Sequence, residues 1–162
     1  MTATIGFGGG CHWCTEAVFD AIGGVSQVSQ GYIQSTLPFD SFSEAVVVWF
    51  DPGEIPLEVL IEIHLRTHSS TSNHKMRDKY RSAIYVFSAA QSEAAETALT
   101  RLQSEFSKPL VTQVLPYVAF KASDDTFTNY GAKNANGPFC VRHIDPKLKL
   151  LREKYGDWVK AS

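Results

Sequence analysis

Along residues 3–88, short apolar segments typical of strands alternate with amphipathic segments typical of helices. The predicted order is strand, helix, strand, strand, helix, strand, with the elements at 3–7, 15–22, 25–33, 44–51, 56–68 and 82–88. This order is the split β-α-β pattern of ferredoxin-like folds. It therefore predicts a two-layer α+β fold, in which a mixed sheet carries its helices on one side.

The rest of the chain extends this core. We predict a helix, a strand that Pro116 interrupts and an amphipathic terminal helix, at 90–106, 110–120 and 145–159 respectively. A loop-rich stretch precedes the terminal helix, so residues from about 134 to 162 form a C-terminal extension. With 162 residues and no internal repeat, the chain has the length of one typical domain, and we expect a single domain over residues 1–162.

Composition narrows the class of protein. The net charge of −2 gives no electrostatic footprint for nucleic acid or for an anionic membrane surface. No apolar run is long enough to cross a bilayer, and the N-terminal MTATIGFGGG lacks the basic-then-apolar layout of a signal peptide. We therefore expect a cytoplasmic protein whose three cysteines, Cys11, Cys14 and Cys140, are thiols at rest.

The segment GGGCHWCTE, at residues 8–16, carries the clearest chemical signal. Its glycines, Gly8 to Gly10, allow the backbone to bend tightly where the first strand turns into the first helix. Cys11 is expected just ahead of that helix or in its first turn, where exposed N–H groups and the helix dipole stabilise a thiolate. The sequence therefore predicts that Cys11 is a nucleophile, rather than a small buried cysteine.

Three kinds of chemistry use such a segment. Cys11 and Cys14 have the CxxC spacing of a thiol–disulfide exchanger. Cys11, His12 and Cys14 would bind a metal only with a distant fourth ligand. In an S-oxide reductase, Cys11 attacks the oxidised substrate and a second cysteine resolves the product. We predict no metal site, because the chain has no second CxxC and because His64 and His68, without the glutamate of a zincin helix, are interpreted as ordinary helix residues.

The same segment resembles the G-C-F-W-G signature of the type A peptide methionine sulfoxide reductases, and reads Gly10-Cys11-His12-Trp13-Cys14 here. Further stretches are similar to motifs of that family: TEAVFDAIGGVSQVSQGY, SEAVVVWFDP, YRSAIYVFSAAQ, PLVTQVLPYVAFKASDDTFTNY and PFCVRHIDPKLKLL. The resemblance extends over roughly residues 5–155. It implies an oxidoreductase with a mixed α+β domain and an open pocket on one surface.

The resemblance also implies roles for individual residues. Cys11 would attack the sulfoxide sulfur, Glu44 would protonate the sulfoxide oxygen, and Tyr32 and Tyr80 would hydrogen-bond to that oxygen. Trp13 would pack against the S-methyl group of the substrate. An acid suits this reaction, because a sulfoxide oxygen leaves poorly until it gains a proton. Glu44 opens the apolar run AVVVWF, so we expect it beside buried surface; the alternative is a glutamate that faces solvent. For Tyr32 and Tyr80, the alternative is that they are half-buried tyrosines at strand ends without a role in the reaction.

The implied cycle needs a second thiol and an external reductant, but no bound cofactor. Cys11 becomes a sulfenic acid, a second cysteine condenses with it, and thioredoxin or another dithiol reduces the resulting disulfide. Cys140 lies in the Gly/Pro/Asn-rich stretch ANGPFCVRH and matches the tail cysteine of some family members, so we favour it as the resolving thiol. Cys14 is the alternative, either as a second resolving thiol or as a small residue in place of the signature glycine.

Two departures from the family pattern bear on the substrate. His12 replaces the signature phenylalanine at the predicted binding site for the substrate's S-methyl group. The imidazole either contacts the substrate as a titratable ring or only occupies, as a neutral ring, the space of the phenylalanine. Lys75 stands five residues before Tyr80, where the family has an aspartate associated with the substrate's main-chain or amino nitrogen. With His74 beside it, this loop would favour an anion over a protonated amine, unless it is only a solvated basic loop. We therefore take His12, Trp13, His74 and Lys75 as predicted substrate-binding residues.

Reduction of methionine-S-sulfoxide, free or peptide-bound, is therefore the leading functional hypothesis. A related reductase that acts on another S-oxide, anionic or heterocyclic, is the second. A CxxC thiol–disulfide exchanger is the third, and a non-catalytic redox sensor is the fourth.

Overall fold

The computed structural model describes residues 2–9, 12–68, 70–71, 81–122 and 145–159, with the backbone only for residues 12, 13 and 145. Within these ranges the chain forms six strands and four α-helices. In chain order they are β1 (Ala3–Gly8), α1 (His12–Asp20), β2 (Val25–Gln34), β3 (Ser43–Phe50), α2 (Leu57–Thr67), β4 (Ala83–Val86), α3 (Ala89–Leu102), β5 (Gln113–Pro116), β6 (Ala119–Ala122) and α4 (Asp145–Tyr155).

The six strands form one mixed sheet in the order β5-β4-β1-β3-β2-β6. Neighbouring strands are antiparallel except β4 and β5, which are parallel. The four central strands, with α1 and α2 between them in the chain, reproduce the predicted β-α-β-β-α-β order. The predicted α+β fold with a mixed sheet is therefore confirmed, and β5 and β6 extend the sheet at its two edges.

Pro116 ends a strand rather than interrupting one. The segment predicted as a single strand over 110–120 forms β5 and β6, which lie on opposite edges of the sheet. In the connection between them, Tyr117 N–H donates to Val86 O and Val118 N–H donates to Gln34 O, both at 3.0 Å. These bonds join the ends of β4 and β2, so the sheet curls until its edges approach each other.

Side chains alternate between the two faces of the sheet, and each face has its own apolar cluster. The larger cluster joins sheet residues to all four helices, and it includes Phe7, Val46, Ile84, Phe19, Leu60, Ala95 and Leu151. The smaller cluster has no helical residue among those described; its buried members are Ile33, Ala45, Val47, Ala83, Tyr85 and Leu115. Each large apolar side chain buried in this way contributes roughly 1.5–3 kcal/mol. The helices therefore cover one face of the sheet, as predicted.

Local sequence sets where the helices begin. Ser88 caps α3, because its Oγ accepts the Gln91 N–H at 3.1 Å. Pro56 precedes α2, where a missing N–H carries no penalty. α1 begins at His12, earlier than predicted, so Cys11 is the residue that precedes it. None of the helices in the described part of the chain is both long and apolar enough to cross a membrane.

Candidate active site

The ends of the four central strands meet at one end of the sheet. We call this end the site edge, to distinguish it from the lateral edges formed by β5 and β6. Gly8, the last residue of β1, pairs with Ala45 of β3 and with Ala83 of β4. Ala45 also pairs with Gly31 of β2. Since α1 begins at His12, the connection from β1 to α1 starts at this edge.

Glu44 and Tyr32 lie directly opposite each other at this edge. They are register partners in the β2–β3 pair, one position along from Ala45 and Gly31. Because side chains alternate along a strand, Glu44 shares its face with Val46 and points toward the helices. Glu44 is 6% exposed, which excludes the solvent-facing alternative, and Tyr32 is half-buried. The structure thus brings together two residues that the sequence predicts for the reaction.

Gly8 and Gly9 form a turn in which there is no space for a side chain. Gly9 has a φ of +145°, a conformation that residues with a side chain rarely adopt. A Cβ on Gly9 would lie 2.4 Å from Cδ2 of His68, and a Cβ on Gly8 would lie 2.8 Å from the carbonyl oxygen of Arg81. The bend predicted after the first strand is therefore present, and its neighbours close around it.

Two histidines, His64 of α2 and His68 directly after that helix, lie against this turn. His64 Nε2 is 2.8 Å from Gly8 O, and because a carbonyl oxygen only accepts, that nitrogen carries the proton. The rings of His64 and His68 stack with their centroids 4.1 Å apart. His68 Nε2 is 2.8 Å from Ser82 Oγ, which is 2.7 Å from Thr112 Oγ1. Interpreting these histidines as ordinary helix residues misses this network; the available signal is their i, i+4 spacing, which places both rings on one helix face.

His64 is held as a neutral imidazole. Burial beside Phe7 lowers the pKa of its ring well below the ordinary value of 6.5. Electrostatic repulsion from His68 and Lys147 lowers that pKa further, while the Gly8 carbonyl opposes the shift. α2 therefore contributes an uncharged hydrogen-bond donor to the turn.

A buried arginine, Arg81, braces the same edge and is absent from the sequence predictions. Its side chain donates to Tyr85 Oη at 3.1 Å, Ile33 O at 3.1 Å and Ser41 O at 3.0 Å, and its backbone N–H donates to Ser43 Oγ at 2.8 Å. Burial raises the pKa of the Tyr85 hydroxyl, and the nearby Arg81 opposes that shift. The bonds tie the start of β4 to the end of β2 and to the start of β3, where Glu44 lies.

Cys14 lies in α1 and is buried, with 6% of its surface exposed. The helix around it is linked to the sheet inside the protein, where Gln30 Nε2 donates to Glu16 Oε1 at 3.4 Å. A buried thiol is less accessible to a reaction partner than an exposed one. Its burial therefore counts against Cys14 as the resolving thiol.

The remaining predicted site residues are not described, or only in part. Five of them lie outside the described residues: Cys11, His74, Lys75, Tyr80 and Cys140. His12 and Trp13 are described by their backbone alone, which forms the start of α1. What is described is thus one wall of the site, made of the Glu44–Tyr32 pair, the glycine turn, and the histidines and arginine against them.

Comparisons with known proteins agree on one family. A family model described as peptide methionine sulfoxide reductase matches residues 3–158. The peptide methionine sulfoxide reductase MsrA of Deinococcus radiodurans is 36% identical over 167 aligned positions, which cover 93% of this chain and 81% of the relative. The MsrA of Sulfolobus acidocaldarius is 34% identical, with 96% of this chain and 95% of the relative covered.

Solved structures share the fold. Methionine sulfoxide reductase A of Corynebacterium diphtheriae superposes with a TM-score of 0.73 at 23% identity, over 84% of this chain and 76% of that chain. Mxr1 from Saccharomyces cerevisiae in its reduced form gives 0.71 at 23% identity, over 88% and 91%. Mxr1 in complex with Trx2 gives 0.62 at 21% identity, over 80% and 84%. The arrangement of helices and sheet is therefore common to all of them.

Proposed function

This chain belongs to the peptide methionine sulfoxide reductase family, and is thus an oxidoreductase that reduces methionine sulfoxide; we propose that Cys11 is its nucleophile. The observation that carries this proposal is the position of Glu44. It is a buried carboxyl group opposite Tyr32, at the sheet edge from which the chain passes through Cys11 into α1. A nucleophile, a proton donor and a hydrogen-bond donor are the groups that sulfoxide reduction requires.

In the proposed reaction, the Cys11 thiolate attacks the sulfur of the sulfoxide. Glu44 gives a proton to the sulfoxide oxygen, and Tyr32 and Tyr80 hydrogen-bond to that oxygen. The oxygen passes to Cys11, which becomes a sulfenic acid, and the substrate leaves as the sulfide. The thiol is oxidised by two electrons, and the sulfoxide is reduced by the same two.

The start of α1 supports this choice of nucleophile. Because α1 begins at His12, Cys11 is next in sequence to the N–H groups of the first turn, which have no partner within the helix. Such groups favour the thiolate over the thiol, and the thiolate is the reactive form. We assign contact with the substrate's S-methyl end to His12 and Trp13.

We assign the resolving step to Cys140. Its thiol condenses with the Cys11 sulfenic acid, which releases water and leaves an intramolecular disulfide. The burial of Cys14 supports this choice over the CxxC alternative. Thioredoxin or another dithiol then reduces the disulfide by exchange, and the complex of yeast Mxr1 with Trx2 supports a partner of this kind. A cytoplasmic setting suits the cycle, because thiols are kept reduced there.

Methionine-S-sulfoxide, free or peptide-bound, is our proposed substrate. His12, in place of the signature phenylalanine, and Lys75 favour a second candidate, an anionic or heterocyclic S-oxide. Both epimers of methionine sulfoxide and a set of other S-oxides can be compared by NADPH consumption in a thioredoxin-coupled assay. Fastest turnover of methionine-S-sulfoxide supports the first candidate, whereas faster turnover of another S-oxide would replace it with the second.

Two substitutions test the nucleophile and the acid. Cys11→Ser should abolish the first turnover, measured as methionine released per enzyme without a recycling reductant. Glu44→Gln should keep the fold and slow that turnover about 100-fold or more, as loss of a general acid does. Methionine formed by Cys11→Ser would exclude Cys11, and wild-type rates in Glu44→Gln would exclude the acid.

Cys140→Ser and Cys14→Ser form a matched pair for the resolving step. Without a recycling reductant, both should release one methionine per enzyme. Cys140→Ser should then stop at the sulfenic acid, which dimedone traps. Cys14→Ser should form the disulfide and continue to turn over when thioredoxin is supplied. A Cys11–Cys14 disulfide in the wild type, mapped by mass spectrometry after one turnover, would contradict this assignment.

A further inference from the structure

We propose that His68 is a positioning residue for Cys11, because its ring supports the Gly8–Gly9 turn that leads to that cysteine. The inference rests on the role proposed for Cys11, since it concerns how the nucleophile is presented to the substrate. In this proposal His68 acts through the backbone of the turn and not by contact with the substrate.

Gly9 lies one residue beyond the paired part of β1. The register of β1 ends at Gly8, which pairs with Ala45 on one side and with Ala83 on the other. The imidazole of His68 packs directly against Gly9, because a Cβ on this glycine would lie 2.4 Å from Cδ2 and 2.7 Å from Nε2 of the ring. The side chain of the residue that follows α2 therefore limits how far the turn reaches toward the helices.

The His68 ring is itself fixed at both nitrogens. Nδ1 donates to the carbonyl oxygen of His64, one turn earlier in α2. Nε2 is 2.8 Å from Ser82 Oγ, which is 2.7 Å from Thr112 Oγ1. Because a carbonyl oxygen only accepts, Nδ1 carries a proton, and Nε2 hydrogen-bonds with the Ser82 hydroxyl. Ser82 and Thr112 are buried and directly precede β4 and β5, so the ring is anchored to the starts of two strands as well as to α2.

His64 touches the same turn without setting its position. It donates to Gly8 O at 2.8 Å, but Gly8 is already held by backbone pairing with β3 and β4. His64→Phe would keep an aromatic ring beside Phe7 and Phe19 and stacked on His68. It removes one donor to the turn and leaves His68 in place, which makes it the matched comparison.

A shift of Gly9 would be passed on to Cys11, since only residues 10 and 11 separate Gly9 from the start of α1 at His12. A thiolate gains from the helix N–H groups only close to the first turn. A displacement of about 1 Å at a reacting group can lower a rate roughly 100-fold. We therefore expect loss of His68 to slow the chemical step and to disfavour the Cys11 thiolate, with little effect on substrate affinity.

The test compares His68→Leu, His68→Gln, Ser82→Ala and His64→Phe in the full-length reduced protein. Methionine formed from methionine sulfoxide in the first turnover gives the rate and the half-saturating concentration. Alkylation of Cys11 by iodoacetamide across a pH series, mapped by mass spectrometry, reports the thiolate.

We expect His68→Leu to slow the first turnover about 30- to 100-fold, to change the half-saturating concentration less than about threefold, and to move alkylation to higher pH. His68→Gln, which restores a polar atom toward Ser82, should recover part of the rate. Ser82→Ala should show an intermediate loss, because the ring stays but loses one anchor. His64→Phe should slow the first turnover less than His68→Leu does, because the ring of His68 stays against Gly9.

A folded His68→Leu with the wild-type rate and alkylation profile would overturn the proposal. If circular dichroism shows that this variant is unfolded, Ser82→Ala decides instead, and wild-type values for it overturn the proposal equally. Slowing of His64→Phe as large as that of His68→Leu would also refute the assignment to His68. Turnover by Cys11→Ser refutes both this inference and the proposed function, whereas an inactive Cys11→Ser with a fully active His68→Leu refutes the positioning role alone.

Discussion

Position 9 requires a glycine for two independent reasons, which are its backbone conformation and its contact with His68. Its φ of +145° strains any residue with a side chain, and the His68 ring occupies the space that a Cβ would need. Gly156, which follows α4, differs because a Cβ there would meet no heavy atom within 4 Å. The need for glycine therefore belongs to the turn at the candidate site.

We predict that Gly9→Ala destabilises the fold by about 1–3 kcal/mol from backbone strain alone, and that it lowers the first-turnover rate. Overlap with His68 adds to the loss, since the ring cannot move without breaking its bond to Ser82. Urea unfolding measures the free energy. Gly156→Ala is the control and should change it by less than about 0.5 kcal/mol. Equal stabilities of the two variants would contradict the argument.

At the scale of elements, strand register decides which residues share the site. Tyr32 meets Glu44 because β2 and β3 pair in one register; a slip by one residue would turn one of the two side chains to the opposite face. Arg81 holds this register at the end of the strands where Glu44 and Tyr32 lie. Its guanidinium joins the start of β4 to Ile33 O and to Ser41 O. A single buried side chain thus connects three strands at the edge where the reaction is proposed.

Arg81→Lys should destabilise the protein by about 1–3 kcal/mol, the usual effect of leaving buried acceptors without a donor. A lysine lacks the planar fork that serves several acceptors at once. Arg101→Lys is the matched control, because Arg101 pairs with Glu58 on the surface, where such pairs contribute about 0–1 kcal/mol. Urea unfolding of both variants gives the comparison, and similar small losses would show that Arg81 does not brace the edge.

At the scale of the whole molecule, the larger core encloses a polar group. His64 is buried among Phe7, Phe19 and the stacked ring of His68, on the helix-covered face. Its pKa in the folded protein lies below the ordinary value of 6.5, mainly because of burial. The unfolded chain therefore binds a proton more readily, and folding stability must fall as the pH drops below about 6.5.

We predict that the free energy of unfolding decreases from neutral pH to pH 5, with His64 accounting for up to about 2 kcal/mol of the decrease. His64→Phe should remove that part while it leaves the contribution of the carboxylates unchanged. Urea unfolding of both proteins at neutral pH and at pH 5 measures the difference. Parallel decreases in the two proteins would show that His64 does not carry the effect.

Residue types and their spacing were enough to predict the order of the central elements, the strand-to-helix turn at Gly8 and Gly9, and a reactive motif around Cys11. These features depend on residue type and apolar periodicity over a few neighbouring positions. The mixed α+β fold followed from the element order, and the burial of Glu44 was expected from the acid role that the family resemblance implies.

The contacts between residues distant in sequence become visible only in the folded chain. Folding split the segment at Pro116 between the two edges of the sheet, and it placed Tyr32 opposite Glu44. It also set His68 against Gly9 and tied it to Ser82, so that a histidine interpreted from the sequence as an ordinary helix residue became part of the candidate site. Such contacts depend on strand register, sheet curl and helix packing, which are set by burial of apolar surface along the whole chain and not by any local pattern.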